Sequence, residues 1–208
     1  MIEHVDFASC YVYSPAGDGA ICARSRLLRA LLKDGDTHFM MRYAVRVRQQ
    51  MEPAAVLAGF FFSDDVLVPV PRSAPKVAGT WAAAELARSL VQVGVGCATW
   101  PGLRRVSAVC KSATAAKGRR PSVARHYASF RLEPPPRRLH GIVLVDDIIT
   151  RGRTLLAAAA RLREAFPDAR IRAFALLRTA GLTNDIKTLL EPCRGEIRLM
   201  RGDARRIP

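Results

Sequence analysis

Hydrophobic positions along the chain fall into short apolar runs and longer stretches of helical period, which alternate. Apolar runs bounded by polar residues predict buried strands at 66–70, 142–145 and 171–177, with a less regular one at 103–109. Helical periodicity over 80–93 and 153–166 places apolar residues on one face of each segment. Because strand and helix alternate, the pattern predicts an α/β protein with a central, mostly parallel sheet flanked by helices.

The first 60 residues are predicted to form a smaller N-terminal part ahead of a core of residues 61–208. Residues 25–32 and 39–51 have helical patterns, and Tyr11 and Tyr13 suggest a short strand. Residues 185–190 suggest a short final helix.

The segment that follows the strand at 142–145 contains the most informative chemistry. Two acids, Asp146 and Asp147, stand at the predicted end of the strand, and a hydroxyl-rich turn broken by Gly152 precedes the next helix. Ligands of open α/β sheets bind beyond the carboxyl ends of the strands. Carboxylates there accept hydrogen bonds from hydroxyl groups or bind a divalent ion, and amides at a helix N-terminus favour a phosphate. The segment predicts a sugar-phosphate site; an ordinary strand–turn–helix with an acidic cap is the alternative.

Residues 143–154 resemble the ribose-phosphate-binding signature of type I phosphoribosyltransferases, which bind 5-phosphoribosyl 1-diphosphate (PRPP). The resemblance implies a type I phosphoribosyltransferase (Rossmann-like) fold whose small N-terminal part is a hood over the acceptor site. It implies that Asp146 and Asp147 contact the ribose hydroxyls, directly or through metal and water. The residues that would hold the 5-phosphate are Ile148, Ile149, Thr150, Arg151, Gly152, Arg153 and Thr154.

A second strand–loop–helix, over 66–93, resembles the ComF-like, competence-associated branch of the same superfamily. The similarity lies in Pro69-Val70-Pro71 and in the Ala-Glu-Leu-Ala-Arg sequence at 84–88, whereas the sequence at 79–81 departs from the branch's usual Gly-Phe-Asn. A plain proline-rich turn is the alternative. The resemblance implies that this loop binds the diphosphate through Pro71, Arg72, Ser73 and Lys76.

Basic residues are concentrated in the middle of the chain. No acid occurs between Glu85 and Glu133, and residues 104–130 are predicted to form a flexible basic loop. By resemblance such a loop closes over the reacting ribose, although a solvated basic surface is the alternative. The residues predicted to neutralise the diphosphate leaving group are Lys111, Arg119, Arg120 and Arg125.

The 208 residues have a net charge of +15, which suits an anionic ligand such as PRPP and also suits a nucleic acid. No apolar run is long enough to span a bilayer. The five cysteines are scattered without a Cys-x-x-Cys pair, so the sequence predicts neither a zinc site nor a disulfide framework. We therefore expect a cytoplasmic protein without a membrane partner. The resemblance adds that relatives commonly form homodimers.

The resemblance implies an enzyme that transfers a 5-phosphoribosyl group from PRPP to a nitrogen acceptor, a nucleobase or an amine, with release of diphosphate. Asp146, Asp147 and Arg72 are the predicted catalytic residues, acting by position and charge. Mg²⁺ is the expected cofactor because diphosphate oxygens suit it, and Asp146 and Asp147 are its predicted protein ligands. The alternative is a catalytically weak accessory protein, PRPP-sensing or associated with DNA uptake, which binds nucleic acid through its basic surface.

Overall fold

A seven-stranded sheet lies at the centre of the protein in the computed structural model, which describes residues 2–75, 79–110, 121–135, 138–181 and 185–208. The strands of this sheet are β1 His4–Tyr13, β2 Asp65–Pro69, β3 Ala98–Thr99, β6 Gly141–Ile149, β7 Arg170–Thr179, β8 Leu190–Met200 and β9 Asp203–Ile207. Two further strands, β4 Leu103–Arg105 and β5 Phe130–Leu132, form a separate ribbon. The helices of the described residues are α1 Ala20–Asp34, α2 Thr37–Gln49, α3 Ala82–Gln92, α4 Val123–Ala128 and α5 Arg153–Ala165.

The strands of the sheet lie in the order β3-β2-β6-β7-β1-β8-β9. The first five are parallel, whereas β8 and β9 extend the sheet by antiparallel pairing. The predicted class, an α/β protein with a mostly parallel central sheet flanked by helices, is confirmed, and the arrangement is compatible with a Rossmann-like fold. Because β1, β2, β6 and β7 run in the same direction, their carboxyl ends meet at one edge of the sheet.

Successive residues of β6 face two different hydrophobic cores. Ile142 and Leu144 pack in the core that contains α5, the ribbon and the β8–β9 hairpin. Val143 and Val145 pack on the other face, in the core that contains α1, α2 and α3. A strand covered on both faces is apolar at every position, which is why this run was recognisable in the sequence.

The first 60 residues contribute to this same sheet. β1 lies between β7 and β8, and its Phe7 and Cys10 enter opposite cores. Leu28 of α1 and Met40 of α2 pack in the core that also receives α3. The sequence suggested only a short strand here because the run contains Ser9, which is buried with its hydroxyl 3.3 Å from the Cys193 sulfur.

The end of the chain forms a hairpin, so the prediction of a short helix over 185–190 is wrong. Leu190 begins β8, which pairs with β1. Arg201 and Gly202 both have positive φ, 50° and 77°, and form the two-residue turn into β9. Neither strand was predicted from the sequence, because arginine and glutamate interrupt their apolar positions.

The predicted basic loop over 104–130 contains regular structure at both ends. Leu103–Arg105 pairs with Phe130–Leu132, so the strand predicted at 103–109 is short and lies outside the central sheet. α4 follows Ser122, whose hydroxyl accepts a hydrogen bond from the Arg125 amide at 3.2 Å and caps the helix. Lys111, Arg119 and Arg120 lie outside the described residues. Across the described chain, no helix combines the length and the apolar character needed to cross a membrane.

Candidate functional site

A cavity of about 890 Å³ opens at the sheet edge where the parallel strands end. Both segments predicted to bind phosphate line it, the loop after β2 and residues 146–155 at the end of β6. Side chains from α1, from the start of α3, from the ribbon and from α4 complete its wall. The cavity therefore brings together the two segments that the sequence analysis singled out.

Residues 150–154, which we call the phosphate bend, enter α5 through a left-handed turn. Gly152 precedes the helix with φ of 85°, and a Cβ atom added to it would lie 2.6 Å from Cγ2 of Ile197. Within the described chain, no protein acceptor bonds the backbone amides of the bend. Free amides at a helix N-terminus are a favourable site for an anion.

The two arginines of the phosphate bend are held by the C-terminal hairpin. Arg153 donates to Asp203 with an Nη2–Oδ2 distance of 2.5 Å, and Arg151 donates to the same carboxylate at 3.1 Å. The hydrogen bond to Asp203 raises the pKa of Arg153 and lowers that of the aspartate. Arg206 also donates to the Thr179 carbonyl at 2.8 Å. The hairpin therefore supports the bend, and no local pattern near Asp203 indicated this.

The predicted acids lie within the last residues of β6, which continues to Ile149 instead of ending at 145. Asp146 is partly buried, and its Oδ1 accepts a hydrogen bond from the Asp147 amide at 2.9 Å. Burial raises the pKa of Asp146 to about 6, although the charges of Lys33 and Arg105 act in the opposite direction. Asp147 is 7% exposed and forms an ion pair with Lys33 of α1.

No group of three or more histidine, cysteine, aspartate or glutamate side chains that would hold a metal ion occurs in the described part of the chain. Mg²⁺ in proteins is commonly bound by one or two carboxylates together with phosphate oxygens and water. Asp146 and Asp147 fit that mode. Asp146 fits it better, because the Asp147 carboxylate is already paired with Lys33.

The loop after β2 lines the cavity with Pro71, Arg72 and Ser73, whereas Lys76 lies outside the described residues. Arg72 donates from Nη1 to the Gly79 carbonyl at 2.6 Å and accepts, at its own carbonyl, a bond of 2.7 Å from Arg105 Nε. These contacts hold the loop at the cavity wall. The Arg72 guanidinium is thus directed in part toward its own loop.

A second helix N-terminus faces the cavity at the start of α3. Residues 80–83 line the wall, and Trp81 donates from Nε1 to the Val70 carbonyl at 2.8 Å. The backbone amides of Ala82 and Ala83 have no protein acceptor among the described residues. The sequence predicted a helix start here but no role for it in binding.

Arg105 and His126 are buried residues of the cavity wall near the acids. Arg105 is 5% exposed, lies 4.3 Å from the centre of the Phe130 ring and bonds the Ser129 hydroxyl. Burial lowers its pKa to about 10. Burial, with the charges of Arg105 and Arg153, lowers the pKa of His126 to about 4, so the imidazole is neutral at pH 7. Neither of its ring nitrogens has a hydrogen-bond partner in the described part of the protein.

His126 and the predicted site residue Arg125 lie on different faces of α4. Arg125 is exposed and does not line the cavity, whereas His126 is buried and does. Adjacent residues on a helix point about 100° apart, so only one of the two faces inward. Arg125 is the one predicted loop residue that the structure describes, and it therefore does not lie at the site.

The end of β1 and one face of α1 close the remaining side of the cavity. Tyr13, Arg29 and Lys33 lie on this wall. The Arg29 guanidinium lies 5.6 Å from the centre of the Tyr13 ring. Neither Arg29 nor Tyr13 was predicted as a site residue, because both are distant in sequence from the two predicted loops.

A scan against models of known protein families found no match to this chain, and a search of curated proteins also found none. Function is therefore inferred from the residues of the site and their geometry.

Proposed function

We propose that the cavity binds PRPP and that the protein transfers its 5-phosphoribosyl group to a nitrogen acceptor, on a type I phosphoribosyltransferase fold. The observation that carries the proposal is the convergence of two helix N-termini on one cavity. The starts of α3 and α5 both line it with backbone amides that bond no acceptor among the described residues, and Asp146 and Asp147 lie at the same edge. PRPP has a phosphate at one end, a diphosphate at the other and two ribose hydroxyls between them.

Each part of PRPP has a matching part of the cavity. The phosphate bend would hold the 5-phosphate through its amides and through the hydroxyls of Thr150 and Thr154. Asp146 and Asp147 would accept hydrogen bonds from the ribose hydroxyls. The loop from Pro71 to Ser73, with the amides at the start of α3, would hold the diphosphate.

The reaction would break the bond between ribose C1 and the diphosphate oxygen, with both electrons leaving on that oxygen. The lone pair of the acceptor nitrogen would form the new bond to C1, and a nitrogen that carries a proton would then release it to solvent. Arg72 and Arg105 line the cavity and are joined by a hydrogen bond at the loop that would hold the diphosphate, so they would lie near the developing negative charge. Their charges and the amide dipoles of α3 would stabilise the leaving group.

Mg²⁺ is the proposed cofactor, and when bound it would neutralise charge on the diphosphate. Asp146, with Asp147 beside it, would supply the protein ligands. The remaining ligands would be diphosphate oxygens and water, as is usual for this ion.

Calorimetric titration with PRPP and Mg²⁺ tests the binding step. We expect Asp146→Asn combined with Asp147→Asn to weaken PRPP binding by about 100-fold, because two charged carboxylates that would accept hydrogen bonds from the ribose hydroxyls are lost. The matched control is Glu133→Gln with Asp168→Asn, which removes two acids that lie in surface ion pairs away from the cavity. Circular dichroism checks that each variant is folded. Absence of PRPP binding by the wild-type protein would contradict the proposal.

A screen for diphosphate release with purine, pyrimidine and amine acceptors tests the transfer step. The competing candidate is an accessory protein that binds PRPP or nucleic acid without turnover. Four exposed arginines on β8, β9 and their turn favour it, since exposed basic residues supply affinity for phosphates; they are Arg194, Arg198, Arg201 and Arg205. PRPP binding with salt-dependent DNA binding and no diphosphate release would select this candidate.

A further inference from the structure

One wall of the cavity has no part in holding PRPP as proposed above. The phosphate groups are assigned to the ends of β2 and β6 and to the two helix starts. The wall formed by Tyr13 and α1 remains, and the ion pair between Lys33 and Asp147 places it directly beside the proposed ribose site. An acceptor that attacks the ribose must occupy space next to the sugar. This wall is therefore the acceptor side, an assignment that rests on the proposed function.

This wall presents a planar ring, that of Tyr13, with the cationic side chain of Arg29 beside it. Tyr13 is partly exposed, and the Arg29 guanidinium is within cation–π distance of its ring. Lys33 is committed to Asp147, but Arg29 forms neither a hydrogen bond nor an ion pair with any described residue. A guanidinium presents its donors as a planar fork, which matches a carboxylate in two parallel hydrogen bonds. A flat ring that carries a carboxylate satisfies both groups.

We propose that the nitrogen acceptor is a planar aromatic or heterocyclic molecule that carries a carboxylate, bound with its carboxylate on Arg29 and its ring against Tyr13. A neutral acceptor in the same place would displace water from Arg29 without offering it a charged partner. That loss disfavours neutral rings, because a polar group left unpaired in a binding site costs free energy. The Arg29 side chain would thus determine the class of acceptor.

Initial rates of diphosphate release from PRPP and Mg²⁺ test this with matched acceptors. Three pairs differ chiefly in the carboxylate: nicotinate with nicotinamide, orotate with uracil, and anthranilate with aniline. We expect the acid of at least one pair to react with a kcat/KM about 10- to 100-fold above that of its neutral partner, as expected for a hydrogen-bonded charge pair. Arg29→Gln should remove this preference, and Arg29→Lys should retain part of it, because lysine keeps the charge and loses the fork.

Arg24→Gln is the matched control, since Arg24 is an exposed arginine of the same helix that does not line the cavity. It should leave the preference unchanged. Calorimetry with PRPP alone separates the two proposals, because Arg29→Gln should bind PRPP as the wild-type protein does. Equal rates for acids and neutral partners, an unchanged preference in Arg29→Gln, or no reaction with any of the six compounds despite PRPP binding would overturn the inference and leave the PRPP site standing. A wild-type protein that fails to bind PRPP would overturn both.

Discussion

Lys33 of α1 forms an ion pair with Asp147 near the end of the central strand β6. The lysine side chain is 49% exposed and the aspartate side chain only 10%, so the pair covers a carboxylate that would otherwise be buried alone. It ties the helix after β1 to the acids of the candidate site. The contact joins residues more than a hundred positions apart in the chain.

Replacing Lys33 with methionine should therefore destabilise the protein. We expect a loss of about 1–2 kcal/mol in the free energy of unfolding, between the small value of an exposed pair and the larger value of a buried one. Urea denaturation measures the loss. In a double-mutant cycle with Asp147→Asn, the loss on removing Lys33 should shrink, because the amide no longer needs a cation. Equal losses in both backgrounds would show that the pair contributes nothing.

Gly152→Ala should destabilise the phosphate bend for two separable reasons. The positive φ of 85° disfavours any side chain, and the new Cβ would meet Ile197 at 2.6 Å. We expect a loss of about 2–3 kcal/mol in urea denaturation, together with weaker phosphate binding. Gly59→Ala is the control for strain alone, since Gly59 has φ of 68° and no atom within 4 Å of the added Cβ. If both variants lose the same stability, the approach of Ile197 is not a constraint on the bend.

Asp146→Asn should make the protein more stable at high pH while weakening its binding of PRPP. Burial raises the pKa of Asp146 from 3.8 to about 6, so the folded state holds the proton more tightly than the unfolded state does. Ionisation between these two pH values therefore costs stability, by up to about 3 kcal/mol above pH 6. The asparagine variant should gain most at pH 8 and little below pH 4 in denaturation curves. A variant less stable than the wild type at pH 8 would contradict the assigned cost.

His126→Leu should change the pH dependence of stability in the opposite direction. The pKa of His126 falls from 6.5 to about 4 in the folded state, so the unfolded state takes up the proton first as the pH decreases. Stability is then lost between pH 6.5 and pH 4, by up to about 3 kcal/mol, and leucine removes that loss. Leucine also removes two buried nitrogens that have no partner in the described chain.

Denaturation of His126→Leu at pH 7 and pH 5 checks this prediction, with the stabilisation expected to be larger at pH 5. His38→Gln is the control, because His38 is exposed on α2. A difference between His126→Leu and the wild type that does not change with pH would show that the imidazole does not remain neutral in the folded protein.

The strand β6 and the bend after it were predictable because their pattern is local. A fully apolar run, two acids and a glycine before a helical stretch lie within fourteen residues, and each feature has one structural consequence. The same holds for β2 and α3, and for β7. In each case the apolar positions alone indicate a buried strand. Because the strands are parallel, the residues that follow their carboxyl ends lie at the same edge of the sheet.

Other parts of the site had no such local pattern. β1 contains a buried serine and was expected as only a short strand, and β8 and β9 contain charges that hide their alternation. His126 and the exposed Arg125 are neighbours on a short helix and point to different sides of it. Counting basic residues in the sequence does not show which of the two faces the cavity. Asp203 supports the phosphate bend from about fifty residues away.

The sequence by itself determined the α/β class, the three parallel strands β2, β6 and β7, and the two segments after β2 and β6 that line the cavity, because burial and strand-end residues are encoded in neighbouring positions. Only the tertiary structure decided that Lys33 pairs with Asp147, that Asp203 holds Arg151 and Arg153, and that Arg29, Arg105 and His126 line the cavity. These relationships depend on which distant segments meet. The order of the strands and the packing of the helices decide which segments are in contact, and both depend on the free energy of the whole chain.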